Sequence, residues 1–389
     1  MKLYIIPAWY PQDEQDITAI FFRQQAQALA QRGHEVTVLH IEPLSVTWVL
    51  RKPWHNKRVW QDGKVRTIYH KVIIPIPGKL ADMQDKHISN LYYDIIRKQI
   101  LADEKEGLGK PDILHAHVSH SCAYYCLKVA DKLKLPLVVT EHYSGLLLGT
   151  ATEREYWRVK ETIEKSDSFI FVGSNFQKTI CGKLGIEKDT CVIPNMVEGS
   201  LFKEDVKNEK QQTKFTFLVA CHMKKHKSVN LVIQAFHEAF AKDDNIRLVV
   251  AGEGEELQAH RKLVVELGEE SRIQFYGKYS REESKAIFSS ANAFVLTSQV
   301  EPFGIVYIEA MASGLPCIGT KGQGADDIID ETNGLLVPHG DVEELAIAMK
   351  KLYENKEMYD SEMIRECCAK KFSENTICQM LEKVYLGKR

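Results

Sequence analysis

The stretch Glu301-Pro-Phe-Gly-Ile-Val-Tyr-Ile-Glu309-Ala-Met-Ala-Ser-Gly314-Leu-Pro316 carries the most decisive structural pattern in this sequence. It follows an apolar segment typical of a strand, places Gly304 at a turn, and continues as an amphipathic helix that Gly314 and Pro316 end. A helix that begins directly after such a turn presents free backbone N–H groups and the positive end of its dipole. The stretch therefore predicts an anion site at the amides of Gly304 and Ile305.

Two carboxylates flank this predicted site. Glu301 precedes the helix. Glu309 lies about five residues further in, which is roughly 7–8 Å along the helix axis at about 1.5 Å per residue. A single ligand group cannot contact both carboxylates at that separation. The pair is typical of a site for an elongated ligand with hydroxyl groups at both ends. A nucleotide sugar fits this description, with its sugar near Glu301, its diphosphate at the helix N-terminus and its ribose near Glu309.

Outward from this stretch, strand patterns alternate with helical patterns along the whole chain. We predict strands at 2–6, 36–39, 113–114, 137–139, 168–172, 191–193, 215–220, 246–251, 273–276, 293–297 and 317–318. Such alternation is typical of parallel sheets covered by helices on both faces. The sequence therefore predicts an α/β protein with two Rossmann-like domains whose parallel sheets face each other across a cleft. Ligands of such folds bind at the carboxyl ends of the strands.

The length of 389 residues also favours two domains over one hydrophobic core. The polar stretch that includes VKNEKQQT is typical of an exposed connection. We predict an N-terminal domain at 1–196, a linker at 197–213 and a C-terminal domain at 214–371. A C-terminal helix at 372–389 is a candidate for packing back on the N-terminal domain.

Composition excludes several classes of function. Lys and Arg number 51 against 53 Asp and Glu, a balance that argues against nucleic acid as the main partner. No apolar run approaches the roughly 18–20 residues of a membrane span. The apolar start of the chain stops at Pro7, so we interpret it as a strand rather than a secretory signal. Nine cysteines without CxxC spacing indicate reduced thiols and favour a cytoplasmic location.

The stretch from Glu301 to Pro316 resembles the E-x7-E element of glycosyltransferase family 4, a large family of retaining enzymes with the GT-B fold. Further resemblances occur in the family's order: Val192-Ile193-Pro194-Asn195 at a domain junction, Lys227 as the loop lysine, Gly252-Glu-Gly254 after a strand, and the turn Asn333-Gly-Leu-Leu-Val337. Near the start, Trp9-Tyr10-Pro11, Phe21-Phe22 and Gly33-His-Glu-Val36 resemble members that build cell-surface polysaccharides. The chain is identified as a member of this family.

The resemblance implies transfer of a sugar, with retained configuration, from a nucleotide-sugar donor to a glycan or lipid-linked acceptor. A UDP- or GDP-linked donor is favoured. Residues at matching positions would bind that donor: Gly304, Ile305, Glu309 and Gly252. Residues implied in catalysis are His142, Glu301, Lys227 and His222, and Trp9 and Ala19 would lie on the acceptor side. His142 follows the strand that ends in Thr140 and resembles the family's T-x-H histidine near the reacting sugar.

His222 departs from the family, which usually has arginine at this position. A guanidinium is always charged and can grip a phosphate with two hydrogen bonds, whereas an imidazole is only partly charged near pH 7. Two alternatives follow. Either His222 acts in its protonated form beside the diphosphate, or one of its neighbours Lys224, Lys225 and His226 takes its place.

Ala19 is the second departure, because relatives with the same Trp-Tyr-Pro start generally have glycine there. A methyl group would crowd a close approach of backbone and ligand. We therefore expect the loop from Pro11 to Ile20 to differ in shape. Both departures are compatible with a different donor or with an enzyme of reduced activity.

No Asp-x-Asp pair follows a predicted strand, so we expect no divalent metal and no other cofactor. The charge on the departing nucleotide would then be met by Lys227, by His222 or its neighbours, and by the helix N-terminus. Two other functions remain open. One is a sugar-nucleotide 2-epimerase, whose catalytic carboxylates sit elsewhere, and the other is a non-catalytic nucleotide-sugar binder, which the two departures allow.

Two further features have more than one interpretation. His115 and His117 resemble the family's HxH pair and either shape a loop or take part in the chemistry. The stretch from Trp48 to Trp60 interleaves three tryptophans with basic residues. It is either a peripheral contact with membrane headgroups at the inner face, or a loop that packs its tryptophans on its own domain.

Overall fold

The computed structural model describes residues 1–11, 19–45, 57–74, 81–202, 214–241 and 243–387. The described chain forms two compact units. Unit 1 is drawn from Met1–Val172, Gln177–Ile193 and Cys378–Arg389, and unit 2 from Gly173–Phe176 and Pro194–Ile377. Residues 203–213 of the predicted linker at 197–213 lie outside the described residues.

The described part of unit 1 contains an eight-stranded sheet in the order β3-β4-β2-β1-β5-β6-β7-β8. Its strands are β1 (Lys2–Ile6), β2 (Glu35–Ser45), β3 (Lys57–Asp62), β4 (Val65–Ile74), β5 (Ile113–His117), β6 (Leu137–Glu141), β7 (Ser168–Phe171) and β8 (Cys191–Val192). All neighbouring strands are parallel except the edge pair β3–β4. Every residue of β1, β5 and β6 is buried, as expected for central strands of a parallel sheet that is covered on both faces.

Helices lie between several of these strands along the chain. They are α1 (Ile20–Gln31), α2 (Ala81–Lys105), α3 (Tyr124–Leu133), α4 (Gly145–Leu148), α5 (Glu153–Lys165) and α6 (Ser174–Leu184). α1 lies between β1 and β2, where the alternation predicts a helix, and Gly33 follows its last turn with a positive φ of 91°. Local chemistry fixes the start of α5, where Thr152 and Glu155 form a reciprocal capping box.

Some elements of unit 1 were not predicted. β3, β4 and α2 lie in a part of the chain where the sequence analysis proposed no strand or helix. The interpretation of Trp48 to Trp60 as one loop is wrong for its last residues, because β3 begins at Lys57 and includes Trp60. β3 lies at the sheet edge, where it pairs antiparallel with β4, and all but its last residue are exposed or half-buried, so it has no continuous apolar run. Trp48 and Trp54 lie outside the described residues.

Unit 2 contains a six-stranded sheet, among its described residues, in the order β11-β10-β9-β12-β13-β14. The strands are β9 (Phe215–Ala220), β10 (Ile246–Ala251), β11 (Ile273–Gly277), β12 (Ala293–Val295), β13 (Cys317–Thr320) and β14 (Gly334–Val337), and all neighbours are parallel. Counted within the unit, this is the order 3-2-1-4-5-6 of a doubly wound sheet. The order reverses between β9 and β12, which makes this edge of the sheet the expected ligand site.

The remaining helices are α7 (Val229–Phe240), α8 (Leu257–Glu266), α9 (Arg281–Ser289), α10 (Ile305–Ala312), α11 (Val342–Glu354), α12 (Ser361–Phe372) and α13 (Glu374–Tyr385). In α7 the buried side chains recur at positions Val229, Val232, Ile233 and Phe236, the spacing of a helix face packed on a sheet. None of the helices among the described residues is long and apolar enough to cross a membrane. The protein is thus an α/β protein with two Rossmann-like units, as the alternation predicted.

Candidate functional site

The loops that follow β9 and β12 meet at the switch point of unit 2. We call them the β9 loop (221–228) and the β12 loop (296–304). Lys227 Nζ of the first donates to Glu301 Oε2 of the second at 2.6 Å, and the side chains are only 19% and 11% exposed. Burial alone would lower the pKa of Lys227, but the Glu301 carboxylate more than offsets it, so the pKa is raised. The switch point thus holds a charged lysine whose position is set by Glu301.

The β12 loop is held in place by the loop after β13. Gln323 Oε1 accepts from the Glu301 amide at 3.1 Å, and the Gly324 amide donates to the Glu301 carbonyl at 2.8 Å. Gly304 then begins α10 with a φ of +96°, and a Cβ there would lie 2.5 Å from the Tyr307 ring. Only glycine fits this turn without strain. The first amides of α10, including that of Ile305, have no carbonyl partner within the helix and are available to an anion.

Glu309 lies one turn inside α10 and is bound by an arginine that the sequence analysis missed. Arg281 Nη1 donates to Glu309 Oε1 at 2.5 Å, and its Nε and Nη2 both donate to Glu198 Oε2 at 3.1 Å. Burial would lower the pKa of Arg281, yet Glu309 and Glu198 together raise it. Arg281 is the first residue of α9, where the positive end of the helix dipole disfavours a cation. This unfavourable position is the feature of the sequence that could have indicated a functional role for Arg281.

Gly252 has a packing role that the sequence analysis did not foresee. A Cβ on Gly252 would lie 1.9 Å from the Cys221 carbonyl oxygen, and one on Gly254 would lie 2.5 Å from that of Met223. The backbones of the β9 loop and of the segment after β10 are therefore in direct contact, joined by a hydrogen bond from the Met223 amide to the Glu253 carbonyl at 2.8 Å. Donor binding by Gly252 stays a prediction.

His222 lies in the same β9 loop and is exposed, as are Lys224 and Lys225. No hydrogen-bond partner is found for its side chain among the described residues, although its carbonyl accepts from the Lys224 amide at 2.8 Å. His226 is half-buried, and burial together with neighbouring Lys227 lowers the pKa of its imidazole. His226 is therefore neutral near pH 7 and is the weakest of the proposed replacements for a guanidinium.

The switch point of unit 1 lies between β1 and β5, where the chain is strained. Val118 follows β5 with a φ of +75°, which is unfavourable for a β-branched residue. A single turn of π-helix, Ser119–Ala123, comes next. Glu141 is fully buried and accepts from the amides of Ser119, His142 and Tyr143, each at 2.8 Å. This carboxylate joins the loop after β5 to the loop after β6, and so fixes the backbone of His142.

Three histidine rings lie together at this edge of the sheet. His142 Nε2 lies 3.2 Å from His117 Nδ1, and the His117 ring packs at a tilt against that of His115 with 4.3 Å between centroids. His115 Nδ1 lies 2.7 Å from the Tyr385 hydroxyl, and its Nε2 lies 2.8 Å from Thr140 Oγ1. Burial lowers the pKa of both His115 and His142 to about 3. These imidazoles are neutral at physiological pH. A C-terminal helix that packs on the N-terminal domain was proposed from the sequence, but no pattern singled out Tyr385 as a partner of these rings.

Trp9 and Ala19 also lie near this cluster. The Trp9 side chain is 41% exposed, and its ring centroid lies 6.2 Å from that of Tyr143. Phe22, in the first turn of α1, packs its ring edge-on against His142 at 5.0 Å. Ala19 caps the same helix with a φ of +51° and a ψ of 39°. Ala19 therefore takes the left-handed conformation that glycine favours, so its methyl group does not change the backbone at this residue. Residues 12–18 of the predicted loop lie outside the described residues.

Within the described ranges, no three His, Cys, Asp or Glu side chains are grouped so that they could hold a metal ion. Metal independence stays a prediction.

Comparisons with known proteins relate this chain to glycosyltransferases. The sequence profile described as Glycosyltransferase Family 4 matches residues 18–200, and the profile described as Glycosyl transferases group 1 matches residues 202–365. The N-acetyl-alpha-D-glucosaminyl L-malate synthase of Bacillus anthracis is 25% identical over 92% of this chain and 90% of its own length. A putative teichuronic acid biosynthesis glycosyltransferase of Bacillus subtilis, TuaC, is 22% identical over 93% of this chain and 92% of its own.

Among solved structures, the protein HepE of Anabaena in complex with UDP and glucose has the same fold. The TM-score is 0.72 at 16% identity, with all of both chains covered. The fold of this chain is therefore that of GT-B proteins.

Proposed function

We propose that this chain is a retaining enzyme that uses a nucleotide-sugar donor. It belongs to the glycosyltransferases, since one family profile matches each half. The acceptor we propose is a glycan or a lipid-linked sugar in surface polysaccharide biosynthesis. Similarity over most of the chain to a protein named for teichuronic acid biosynthesis supports this pathway class. The solved complex of a protein with the same fold with UDP and glucose supports the donor class.

One observation carries the proposal: Lys227 and Glu301 pair at 2.6 Å across the switch point of unit 2, beside the first turn of α10. A diphosphate at that turn would meet the free amides of α10 and the Lys227 ammonium. Both groups offset negative charge that grows on the diphosphate as the sugar leaves. Glu301 would fix the lysine and accept from a hydroxyl of the transferred sugar.

Glu309 would bind the other end of the donor. Arg281 binds its Oε1, so the plane of the carboxylate is set, and Oε2 remains for the ribose hydroxyls. Carboxylates accept hydrogen bonds from hydroxyls with more than the usual strength because the acceptor is charged. The arrangement suits a ribose better than a phosphate, which a carboxylate would repel.

In the reaction we propose, the bond between the anomeric carbon and the diphosphate breaks, and an acceptor hydroxyl bonds to that carbon on the same face. The hydroxyl proton passes to the departing phosphate oxygen. No enzyme carboxylate has to form a covalent intermediate. His142 is neutral, so it would serve as a hydrogen-bond partner of a sugar hydroxyl and not as a cation. Unit 1 would hold the acceptor, with Trp9 and the residues around Ala19 near it.

We further propose that turnover needs no divalent metal and no cofactor. Lys227, His222 and the N-terminus of α10 would together supply the positive charge for the diphosphate. A peripheral membrane contact is part of the proposal for a lipid-linked acceptor.

Thermal-shift measurements with UDP-, GDP- and ADP-sugars test the donor class, since a ligand that binds only the folded state raises the melting temperature. The donor that gives the largest shift is then incubated with the protein, with and without EDTA, and the products are identified by NMR. Free sugar and nucleotide, released in both samples with the anomeric configuration retained, would support the proposal. An epimerised donor would indicate the 2-epimerase, an intact donor a binding protein, and activity lost to EDTA and restored by magnesium a metal-dependent enzyme.

A further inference from the structure

The last helix of the chain ends against the histidines of unit 1. α13 begins in unit 2, and its residues from Cys378 onward belong to unit 1. The buried Tyr385 hydroxyl lies 2.7 Å from Nδ1 of the buried His115, and Thr140 Oγ1 lies 2.8 Å from the other ring nitrogen. Because both nitrogens of His115 are bound to hydroxyl groups, the ring has one orientation and cannot rotate without losing a hydrogen bond.

This fixed ring supports its neighbours. His115 and His117 are two residues apart in β5 and so lie on the same face of the sheet. Their rings pack with 4.3 Å between centroids at an angle of 33°. His117 Nδ1 in turn lies 3.2 Å from His142 Nε2. Three successive contacts therefore connect the Tyr385 hydroxyl to the His142 ring, inside a packed region where a displaced ring displaces the next one.

The far end of this series carries two ring nitrogens without a partner among the described residues. His117 Nε2 and His142 Nδ1 are buried atoms with no hydrogen-bond partner among the described residues. Each neutral imidazole has one N–H donor and one acceptor nitrogen, and the two rings share one hydrogen bond. Consequently one of the two nitrogens without a partner is a donor and the other an acceptor. A sugar hydroxyl is both donor and acceptor, so it has the chemistry that either nitrogen requires.

We propose that Tyr385 is a positioning residue, whose hydroxyl holds His142 through His115 and His117 in the orientation that meets the sugar. The inference rests on the proposed function, because it assigns His142 a role in sugar transfer. It adds a contribution of the C-terminal helix to the reaction, made without any contact between Tyr385 and substrate.

The first test compares Tyr385→Phe with a matched control. The control is Tyr156→Phe. Tyr156 is also a buried tyrosine of unit 1, and its hydroxyl donates to the Leu146 carbonyl at 2.7 Å. We expect Tyr385→Phe to lower kcat roughly 10-fold, equivalent to about 1.4 kcal/mol, and to leave the KM for the donor within about twofold. Tyr156→Phe should lower the melting temperature as much and leave kcat unchanged. Equal kcat in the two variants would overturn the inference.

A double-mutant cycle tests whether Tyr385 acts through His142. Adding Tyr385→Phe to His142→Ala should cause no further loss of kcat, because the positioned group is already gone. Losses that multiply in the double variant would contradict the inference. If Tyr385→Phe does not fold, Thr140→Val removes the other hydroxyl partner of His115 and should lower kcat in the same way.

A third measurement needs no turnover. In ¹⁵N spectra of the histidine rings, the His142 signals should shift in Tyr385→Phe and stay unchanged in Tyr156→Phe. Unchanged His142 signals in both variants would overturn the positioning role. Shifted signals in a protein that transfers no sugar from any donor would instead show that the positioning holds and the proposed function is wrong.

Discussion

Lys227 Nζ lies 2.6 Å from Glu301 Oε2, and this ion pair joins the loops after β9 and β12, the two adjacent strands at which the order of the second sheet reverses. The lysine is thereby held beside the N-terminus of α10. A charge that is already in position stabilises a transition state without a reorganisation cost during the reaction.

Replacing this lysine should mainly affect turnover. We expect Lys227→Met to lower kcat by about 10²–10³-fold, the effect of losing one preorganised charge-stabilising group. Lys278→Met is the matched control, because Lys278 is an exposed lysine of the same unit, 3.4 Å from Glu253. Steady-state kinetics at saturating donor measure the effect. A wild-type kcat in Lys227→Met would show that other groups stabilise the negative charge on the diphosphate.

Glu309 should govern nucleotide affinity. Glu309→Ala is expected to weaken binding by about 1.5–3 kcal/mol, the range for a charge-assisted hydrogen bond. Arg281→Met should weaken it in the same direction by a smaller amount, because Glu309 loses the partner that orients it. Titration calorimetry with the nucleotide measures both. Glu282→Ala, at an exposed position beside Arg281, is the control, and wild-type affinity in Glu309→Ala would contradict the assignment.

His222 should contribute to turnover and not to stability. Its exposed side chain and lack of a hydrogen-bond partner among the described residues argue against a structural role. We expect His222→Ala to lower turnover roughly 10- to 1,000-fold with a change in unfolding free energy below about 0.5 kcal/mol. His222→Arg should retain or improve turnover. Full turnover in the alanine variant would mean that neighbouring lysines hold the diphosphate.

Ala19 should tolerate glycine and reject a branched side chain. Its φ of +51° costs a residue with a Cβ about 1–2 kcal/mol, and glycine would remove that cost while losing about 0.5–1 kcal/mol to backbone entropy. Ala19→Gly should therefore leave the unfolding free energy nearly unchanged and keep or raise turnover. Ala19→Val should lower the unfolding free energy clearly, as measured by urea denaturation. Equal stability of the two variants would argue against the left-handed conformation.

Acid should destabilise the protein from about pH 6.5 downward. The pKa of His115 and of His142 falls from 6.5 to about 3 on burial, so between these values the unfolded chain binds more protons than the folded one. Stability is therefore complete above 6.5 and decreases as the pH falls. From pH 7 to 5.5 the two histidines should cost about 2.5 kcal/mol in total. His40 and His70, whose pKa values are lowered to about 4, act in the same direction.

Urea denaturation at both pH values measures this loss. In His142→Phe it should be smaller by about 1 kcal/mol, the share of one histidine. His222→Ala, which removes an exposed histidine, should show the wild-type loss. Unfolding free energies that stay constant between pH 7 and 5.5 would show that these imidazoles are protonated in the folded protein.

Much of the fold could be predicted from the sequence because it depends on local patterns. β1, β9 and β10 have the predicted bounds, since continuous apolar runs between turn residues are typical of buried parallel strands. Gly304 was placed correctly at the start of a helix, and its φ of +96° explains why only glycine suits the position. β3 escaped prediction because it is an exposed edge strand without that apolar run, and the buried residues of β4 are interrupted by half-buried polar ones.

The sequence by itself determined the two alternating series of strands and helices, the α10 helix with its glycine turn, and the residue types available for donor chemistry. Only the tertiary structure decided which of them meet. Arg281 and Glu309, and Tyr385 and His115, are far apart in the chain and paired in space. Local propensity acts over a few residues, whereas strand order and helix packing bring distant side chains together. Local sequence patterns therefore predicted the helices and strands, whereas the packing of those elements determined which side chains pair.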